Sequence, residues 1–328
     1  MSPSSQVRIS SETASPDRGV KTITKRKAEL FRKRLYRDRY LYLLVLPVIV
    51  LFVLFRLIPL NGEIIAFKNY RLTEGIWGSD WAGLDQFERL FQSKDFYNVL
   101  KNTFLLNVYN LIFGFPVPII LALLLNELRR EWYKRIVQNL FYLPHFISWV
   151  VLGSIIIGVL SPSTGLVNTI LKSFGMEPIF FMADKFWWPV TYVASGIWRE
   201  AGYGTILYIA AMAAIDPQQY EAVKLDGANK WRQIWHVTLP GIRSTIAIIL
   251  ILQMGKFLDV GFEQVFVMQN PAVYSVSEVI NTYIYRIGLQ NLQYSYSTAI
   301  GLFQSVIGLI LILSVNRIIR SMGERGLW

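Results

Sequence analysis

The sequence predicts an all-α integral membrane protein with six transmembrane helices. Composition is the first reason: 53% of the residues are hydrophobic and 17% charged, and mean hydropathy is +0.37. The chain also has 10 Trp, 17 Tyr and 20 Phe to supply aromatic belts at the membrane interfaces. The second reason is six stretches long and apolar enough to cross ~30 Å of hydrocarbon at ~1.5 Å per residue. They run approximately from Tyr40 to Leu60, Thr103 to Leu125, Ile136 to Leu160, Trp187 to Ala214, Ile242 to Gly261 and Ser297 to Ile319. Lipid offers no partner for an unpaired backbone group, so each is expected to be a helix.

Residues 1–23 are rich in Ser, Thr and charge and have no hydrophobic core of their own, which predicts a flexible tail and no cleavable signal peptide. Residues 24–39 (TKRKAELFRKRLYRDR) are strongly basic, with Ala28, Phe31 and Leu35 at helical spacing. They suit a helix on an anionic membrane surface, or equally a block of charge that halts the first span. The domains expected are therefore a basic tail at 1–39, a permeating domain at 40–319 and a short tail at 320–328.

The net charge of +11 is a matter of topology. Segments 1–39, 126–135, 215–241 with Arg243, and 317–328 hold 22 Lys and Arg, whereas 61–99, 161–186 and 262–296 hold 7. The positive-inside rule puts both termini in the cytoplasm, and the same asymmetry excludes nucleic acid as the reason for the basic balance. Absence of cysteine removes disulfides and thiolate metal sites, and His145 and His236 alone leave little for a metal centre. No GxxxxGK[ST] loop is present, so any nucleotide motor lies elsewhere.

Two of the long outer loops carry apolar residues of their own: Trp77, Trp81, Phe87, Phe91 and Phe96 in 61–100, and Leu166, Ile170, Leu171, Phe174, Ile179 and Phe180 in 162–186. They are expected to form short helices resting on the membrane, with or without an external partner.

The hydrophilic segment 216–241 (DPQQYEAVKLDGANKWRQIWHVTLPG) lies between two apolar stretches and has its own helix grammar. Asp216 suits an N-cap, Pro217 the first helical position, and Gln219 stands in capping-box register. Gly227 can end the helix in a left-handed turn. A second amphipathic stretch follows with Trp231, Ile234 and Trp235 on its apolar side and Lys230, Arg232 and Gln233 on others, and Pro240 is expected to stop it. The product is a helix-turn-helix at the cytoplasmic face. It is either a docking element presenting Glu221, Asp226 and the small residues Ala222, Gly227 and Ala228, or an interfacial hairpin anchored by tryptophans.

The spacing of this segment resembles the cytoplasmic motif of bacterial ABC importer permeases: Glu-Ala-Ala, a Gly six residues after the Glu, then Ile-x-Leu-Pro after nine intervening residues. Glu221, Ala222, Gly227, Leu239 and Pro240 fit in register, while Val223 and Val237 replace the second Ala and the Ile. Further stretches are similar to the oligosaccharide and polysaccharide branch, in particular to permease subunits of alginate importers: AFKNY (66–70), NTFLLNVYNLIFGFPVPIILALLLNEL (102–128), LPHFISWVV (143–151), GFEQVF (261–266), NPAVYSVSEVINTYIYRIG (270–288), STAIGLF (297–303) and the closing ERGLW. The resemblance implies a type I importer fold with a coupling helix around Glu221 to Gly227. It also implies a dimer of ATPases that hold ATP and Mg, a second homologous permease subunit, an extracytoplasmic solute-binding protein and a saccharide cargo. No cofactor and no bond chemistry are expected in this chain, which would sit in the bacterial cytoplasmic membrane.

Arg56, Arg199, Glu200, Lys256 and Asp259 fall within or at the margins of spans, where a central charge costs ~2.5–3.5 kcal/mol and should face protein or water. Arg199, Glu200, Tyr203, Lys256 and Asp259 are candidates to line a translocation path, with Arg199 and Lys256 offsetting the carboxylates of an acidic sugar. Trp198 and Tyr208 offer further stacking surfaces. The alternative is internal pairing, Lys256 with Asp259 on one helix face and Arg199 with a neighbouring helix. GFPVP (114–118) puts two prolines in one span and predicts a kink. A secondary transporter or channel is the competing reading; it calls for ion-coupling carboxylates or inverted repeats. A membrane enzyme would need an acid/base or metal cluster.

Overall fold

A computed structural model describes residues 37–321 and 323. The expected basic helix, except its last residues, and the closing ERGLW lie outside the described residues. The chain divides into two units between Gly62 and Glu63. In the first, α1 (Arg39–Phe52) continues through a π turn at Val53–Leu57, tolerates Pro47 inside it and buries none of its side chains.

The second unit begins with a two-residue antiparallel hairpin, β1 (Lys68–Asn69) and β2 (Asp80–Trp81), in the register Lys68↔Trp81. Then come α2 (Asp85–Gln92) and α3 (Lys94–Tyr109), the latter capped by Ser93 accepting from the Phe96 N–H. A π turn at Asn110–Gly114 joins α3 to α4 (Pro116–Asn126). Pro116 and Pro118 each remove a ladder donor, and the wider turn, closed by Phe115 N–H to Asn110 O at 3.0 Å, carries the backbone into them.

The third expected span is not one helix. α5 (Glu131–Tyr142) passes into a 3-10 turn at Leu143–Phe146, and α6 (Trp149–Val159) leaves at 102°. Pro144 cannot continue the ladder, and Ser148 starts a new helix by accepting from the Val151 N–H. α7 (Leu166–Ser173) fills the following loop, and α8 (Trp187–Ala213) is a single helix of 27 residues.

After α9 (Pro217–Leu225) and α10 (Lys230–Gln233), a π turn at Ile234–Thr238 leads directly into α11 (Leu239–Gly255). Pro240 thus does not stop the second stretch of the hydrophilic segment. It sits in the first turn of α11, where its missing N–H costs nothing, and Leu239 N–H closes the π turn. The helix ends at Gly255, six residues short of expectation, and Lys256–Asp259 form a turn closed by Asp259 N–H to Lys256 O at 2.8 Å. α12 (Phe262–Met268), α13 (Ile280–Tyr285) with its π turn at Arg286–Gln290, and α14 (Tyr294–Ser321) complete the chain.

Four helical stretches are long and apolar enough to cross a membrane: Arg39–Phe67, Lys94–Asn126, Lys230–Gly255 and Tyr294–Ser321, with the bent α5–α6 pair as a fifth. α8 has the length for a sixth, but Arg199 and Glu200 interrupt its apolar run.

One core cluster joins Leu90, Phe96 and Val99 to Phe257, Ile280, Tyr283 and Ile300. A second surrounds Trp188, whose indole N–H donates to Met268 O at 2.9 Å. A third packs Ala122, Tyr208, Met212 and Ile242 where α4, α8 and α11 meet. Glu278 accepts two bonds from Arg286 at 2.6 and 2.8 Å, and this raises the guanidinium's already high pKa. α8 approaches its neighbours at glycines: a Cβ on Gly202 would overlap the carbonyl of Phe141 at the end of α5. Gly202→Val should therefore lower the midpoint of thermal unfolding in detergent, since forced overpacking costs about 1–3 kcal/mol; an unchanged midpoint would contradict the close approach.

Candidate functional site

All five residues expected along a path come together. Arg199, Glu200, Tyr203, Lys256 and Asp259 line one cavity of about 540 Å3 between α3–α4, α8 and the end of α11. Trp198 does not line it, and Tyr208 lines it from a buried position. The wall is completed by uncharged polar groups that a search for charges passes over: Asn107, Asn110, Gln253 and Gln264. Gln264 is fixed by donating to Tyr192 O at 2.7 Å and to Ser195 Oγ at 3.1 Å.

The geometry gives the charges different tasks. Arg199 donates Nε to Ile147 O at 3.3 Å and Nη2 to His145 O at 3.2 Å, and its guanidinium lies 4.9 Å from the Trp149 ring centroid. The break between α5 and α6 leaves these carbonyls without helical partners, and Arg199 satisfies them. Its third contact, Nη1 to Glu200 Oε1, is 2.6 Å. Adjacent on the helix, Glu200 reaches His145 Nδ1 with its other oxygen at 3.0 Å. The His145 ring stacks on Tyr203 at 4.0 Å with an interplanar angle of 1°.

His145 is thus part of the site, which its isolation in the sequence did not reveal. The available signal was Glu200, a carboxylate in a span with two oxygens to satisfy, one of which its arginine neighbour takes. Lys256 and Asp259, expected to share a helix face, lie beyond the helix and do not pair. Asp259 accepts from Asn281 Nδ2 at 2.5 Å, and Asn281 Oδ1 accepts from Gln304 at 3.0 Å. Among the described residues, Lys256 Nζ has no hydrogen-bond or ion-pair partner, which leaves it as the free cation of the wall.

The hydrophilic segment forms the helix its grammar predicts. Asp216 accepts from the Gln218 N–H at 2.9 Å, Pro217 opens α9, and Gly227 stands at φ +76°. Ala228 N–H bonds Val223 O at 3.1 Å and Gly227 N–H bonds Lys224 O at 3.0 Å, the double closure of a Schellman turn. Tyr220 Oη meets Thr238 Oγ1 at 3.1 Å, and a Cβ on Gly241 would press on Ile215, so the segment is held against the start of α11. Lys230 pairs with Glu127, at the end of α4, at 2.7 Å.

Of the motif residues, Glu221, Ala222, Asp226, Gly227 and Pro240 are exposed, and Ala228 and Leu239 are half-buried. On the second stretch the tryptophans stand on an outer face, opposite a buried one. Gln233, Val237 and Thr238 face inward, with Gln233 Nε2 donating to Ala228 O at 3.1 Å, while Trp231 and Trp235 are exposed. Leu225 is 90% exposed at the tip of α9.

A profile of binding-protein-dependent transport system inner membrane components matches residues 114–324. The chain belongs to that family. This permease is 44% identical over 317 residues to protein LplB of Bacillus subtilis (strain 168), covering 97% of this chain and 100% of LplB. It is 46% identical over 304 residues to the polygalacturonan/rhamnogalacturonan transport system permease protein YteP of the same organism, covering 93% and 95%. A chain in the crystal structure of a bacterial alginate ABC transporter, solved in complex with an alginate pentasaccharide-bound periplasmic protein, superposes with TM-score 0.83 at 41% identity, covering 90% of this chain and 99% of that one. The type I permease fold expected from the sequence is thereby established, as is membership among sugar ABC transporter permeases.

A side chain at Gly227 would occupy the left-handed region at a cost of about 1 kcal/mol. Gly227→Ala in this permease should therefore loosen the end of α9, read as faster amide exchange over residues 223–228 with exchange in α11 unchanged; equal protection in both proteins would contradict the turn.

Proposed function

We propose that this chain is one permease half of an ATP-driven, binding-protein-dependent importer of an acidic oligosaccharide or polysaccharide. The observation that carries the reading is α9: a rigidly capped helix bearing the family motif, with Glu221, Ala222, Asp226 and Leu225 turned outward and unpartnered among the described residues. An apolar tip this exposed on an otherwise polar helix suits a protein groove. In this reading α9 lies in the cytoplasm and enters a cleft of a separate ATPase, which binds ATP and Mg, while the chain itself performs no bond chemistry and holds no cofactor. Both termini are cytoplasmic in the inner membrane. α8 and the bent α5–α6 pair complete six spans in contact with lipid, and a second homologous permease supplies the facing wall of the cavity. An extracytoplasmic solute-binding protein delivers the cargo.

The cargo class rests on two relatives, one carrying polygalacturonan and rhamnogalacturonan and the other the acidic polysaccharide alginate. It rests also on Lys256, whose free amine on the cavity wall can meet a passing carboxylate. Arg199, occupied by the helix break and Glu200, acts in this reading as the strut that holds the wall. Tyr203 remains 47% exposed with His145 on one face and offers the other to a sugar ring. Asp259, tethered to Asn281, keeps the wall close to neutral, so cargo is held weakly enough to leave.

Two measurements test the reading. An ATPase should co-purify with the chain in mild detergent and be lost with Glu221→Lys or Leu225→Asp. Uptake should then fall at least about tenfold, as for an interface anchor worth ~1.4 kcal/mol or more. ATP-independent uptake at full rate in those variants would sink the reading in favour of a secondary transporter or channel. Separately, Lys256→Gln should slow uptake of a uronate oligosaccharide more than that of a neutral one.

A further inference from the structure

A second, smaller cavity lies away from the first, where the hairpin, α2 and the start of α14 meet. Its volume is about 260 Å3, and among the described residues its wall contains two guanidiniums, three side-chain amides and three tyrosines but no carboxylate. We infer that this cavity is an outer binding site for a single uronate unit of an acidic oligosaccharide, a station that the chain offers ahead of the central path. This rests on the function proposed above for its side of the membrane and its cargo class.

The wall is built for that task. Tyr70 N–H donates to Ser295 Oγ at 2.9 Å and ties the hairpin to α14, and the rings of Tyr70 and Tyr294 meet edge to face at 5.7 Å. The Arg89 guanidinium lies over the ring of buried Tyr296, 4.5 Å from its centroid, and spends one N–H on Gln293 Oε1 at 2.7 Å. A guanidinium has five N–H groups in a planar fork, so the rest can clasp a carboxylate. Gln293 Nε2 remains as a donor beside it. Gln86 Nε2 donates to Asn69 Oδ1 at 3.2 Å, which leaves Gln86 Oε1 as an acceptor and Asn69 Nδ2 as a donor for sugar hydroxyls. Arg71 is shared with Glu74, at 3.0 Å, so Arg89 is the anchor.

Two further observations point to a ligand. Leu292, on the rim, is the one non-glycine residue with positive φ (58°) among the described residues. It is held there by Asn291 N–H to Arg286 O and Gln293 N–H to Ile287 O, both 3.0 Å. Strain of this kind persists where surroundings over-determine it and gathers at binding sites. The absence of carboxylates then selects the ligand. A neutral sugar is all hydroxyl and gains from carboxylate acceptors, whereas a uronate would be repelled by them and needs the cationic fork that is present. The volume is below the ~300–1,000 Å3 of pockets that engulf a whole ligand, and suits one ring.

The test uses the assembled transporter in nanodiscs without its solute-binding protein, carrying an environment-sensitive fluorophore at Leu292→Cys, in a chain with no natural cysteine. Trigalacturonate should give a saturable signal and galactotriose none. Arg89→Gln should weaken trigalacturonate binding roughly 10- to 100-fold, the loss for a charge-assisted contact. Arg89→Lys should fall between, and Gln86→Ala, a change on α2 away from the core, should weaken it less. Lys256→Gln in the central cavity should leave this signal unchanged. Equal signals from both sugars, or undiminished affinity in both Arg89→Gln and Gln86→Ala, would overturn the site. ATP-driven uptake of trigalacturonate in the same preparation separates the two readings. Uptake without outer binding removes this site alone, and outer binding without uptake removes the transport reading and leaves the site standing.

Discussion

Contact between the carbonyl of Phe141 and the bare Cα of Gly202 sets the distance on which the cavity depends. With α8 this close to the end of α5, Arg199, three residues earlier, reaches the carbonyls of His145 and Ile147 that the proline break exposes. A larger residue at 202 would move the guanidinium away from them and leave polar backbone unpaired at membrane depth, at several kcal/mol per group. Once Arg199 is committed there, Glu200 is placed against His145, and His145 against Tyr203. A packing constraint thus becomes an electrostatic one, and the wall of the cavity follows from it.

The same helix connects the cavity to the hydrophilic hairpin. α8 ends at Ala213, α9 begins at Pro217, and α11 leaves the hairpin at Leu239 to end beside Lys256. Two walls of the cavity are therefore continuous, through short and well-bonded turns, with the two ends of one exposed segment. Tyr220 with Thr238 and Ile215 with Gly241 stiffen that segment against the start of α11. Residues 216–238 are thus joined, through bonded turns, to two helices that line the cavity.

What was legible in the sequence was whatever local chemistry dictates. The cap at Asp216, the left-handed turn at Gly227 and the apolar length of most spans depend on neighbouring residues, and the structure has them. Arg199, Glu200, Lys256 and Asp259 were singled out because a charge near a span must face something other than lipid, and the structure gathers them with Tyr203 around one cavity. The misses needed tertiary knowledge. A proline between apolar residues reads the same whether a helix absorbs it, as at Pro240, or breaks at it, as at Pro144; what differs is the availability of Arg199 to satisfy the break. Burial of Gln233 was not legible because its partner, Ala228 O, is presented by the preceding turn. Lys256 and Asp259 looked like partners only while the helix was taken to continue past Gly255.

The π turn at Ile234–Thr238 holds one residue more than an α-helix needs over the same rise. A single-residue deletion there would draw Pro240 into a regular helix, leave the carbonyl four residues before it without a donor, and rotate all that precedes it by about 100° relative to α11. The heading of α9 is therefore encoded in a residue count as much as in residue identities. Descendants of this chain can change the length of the hairpin only at the expense of where it points, and a chimaera grafted across this turn inherits its aim from the number of residues between Gly227 and Pro240.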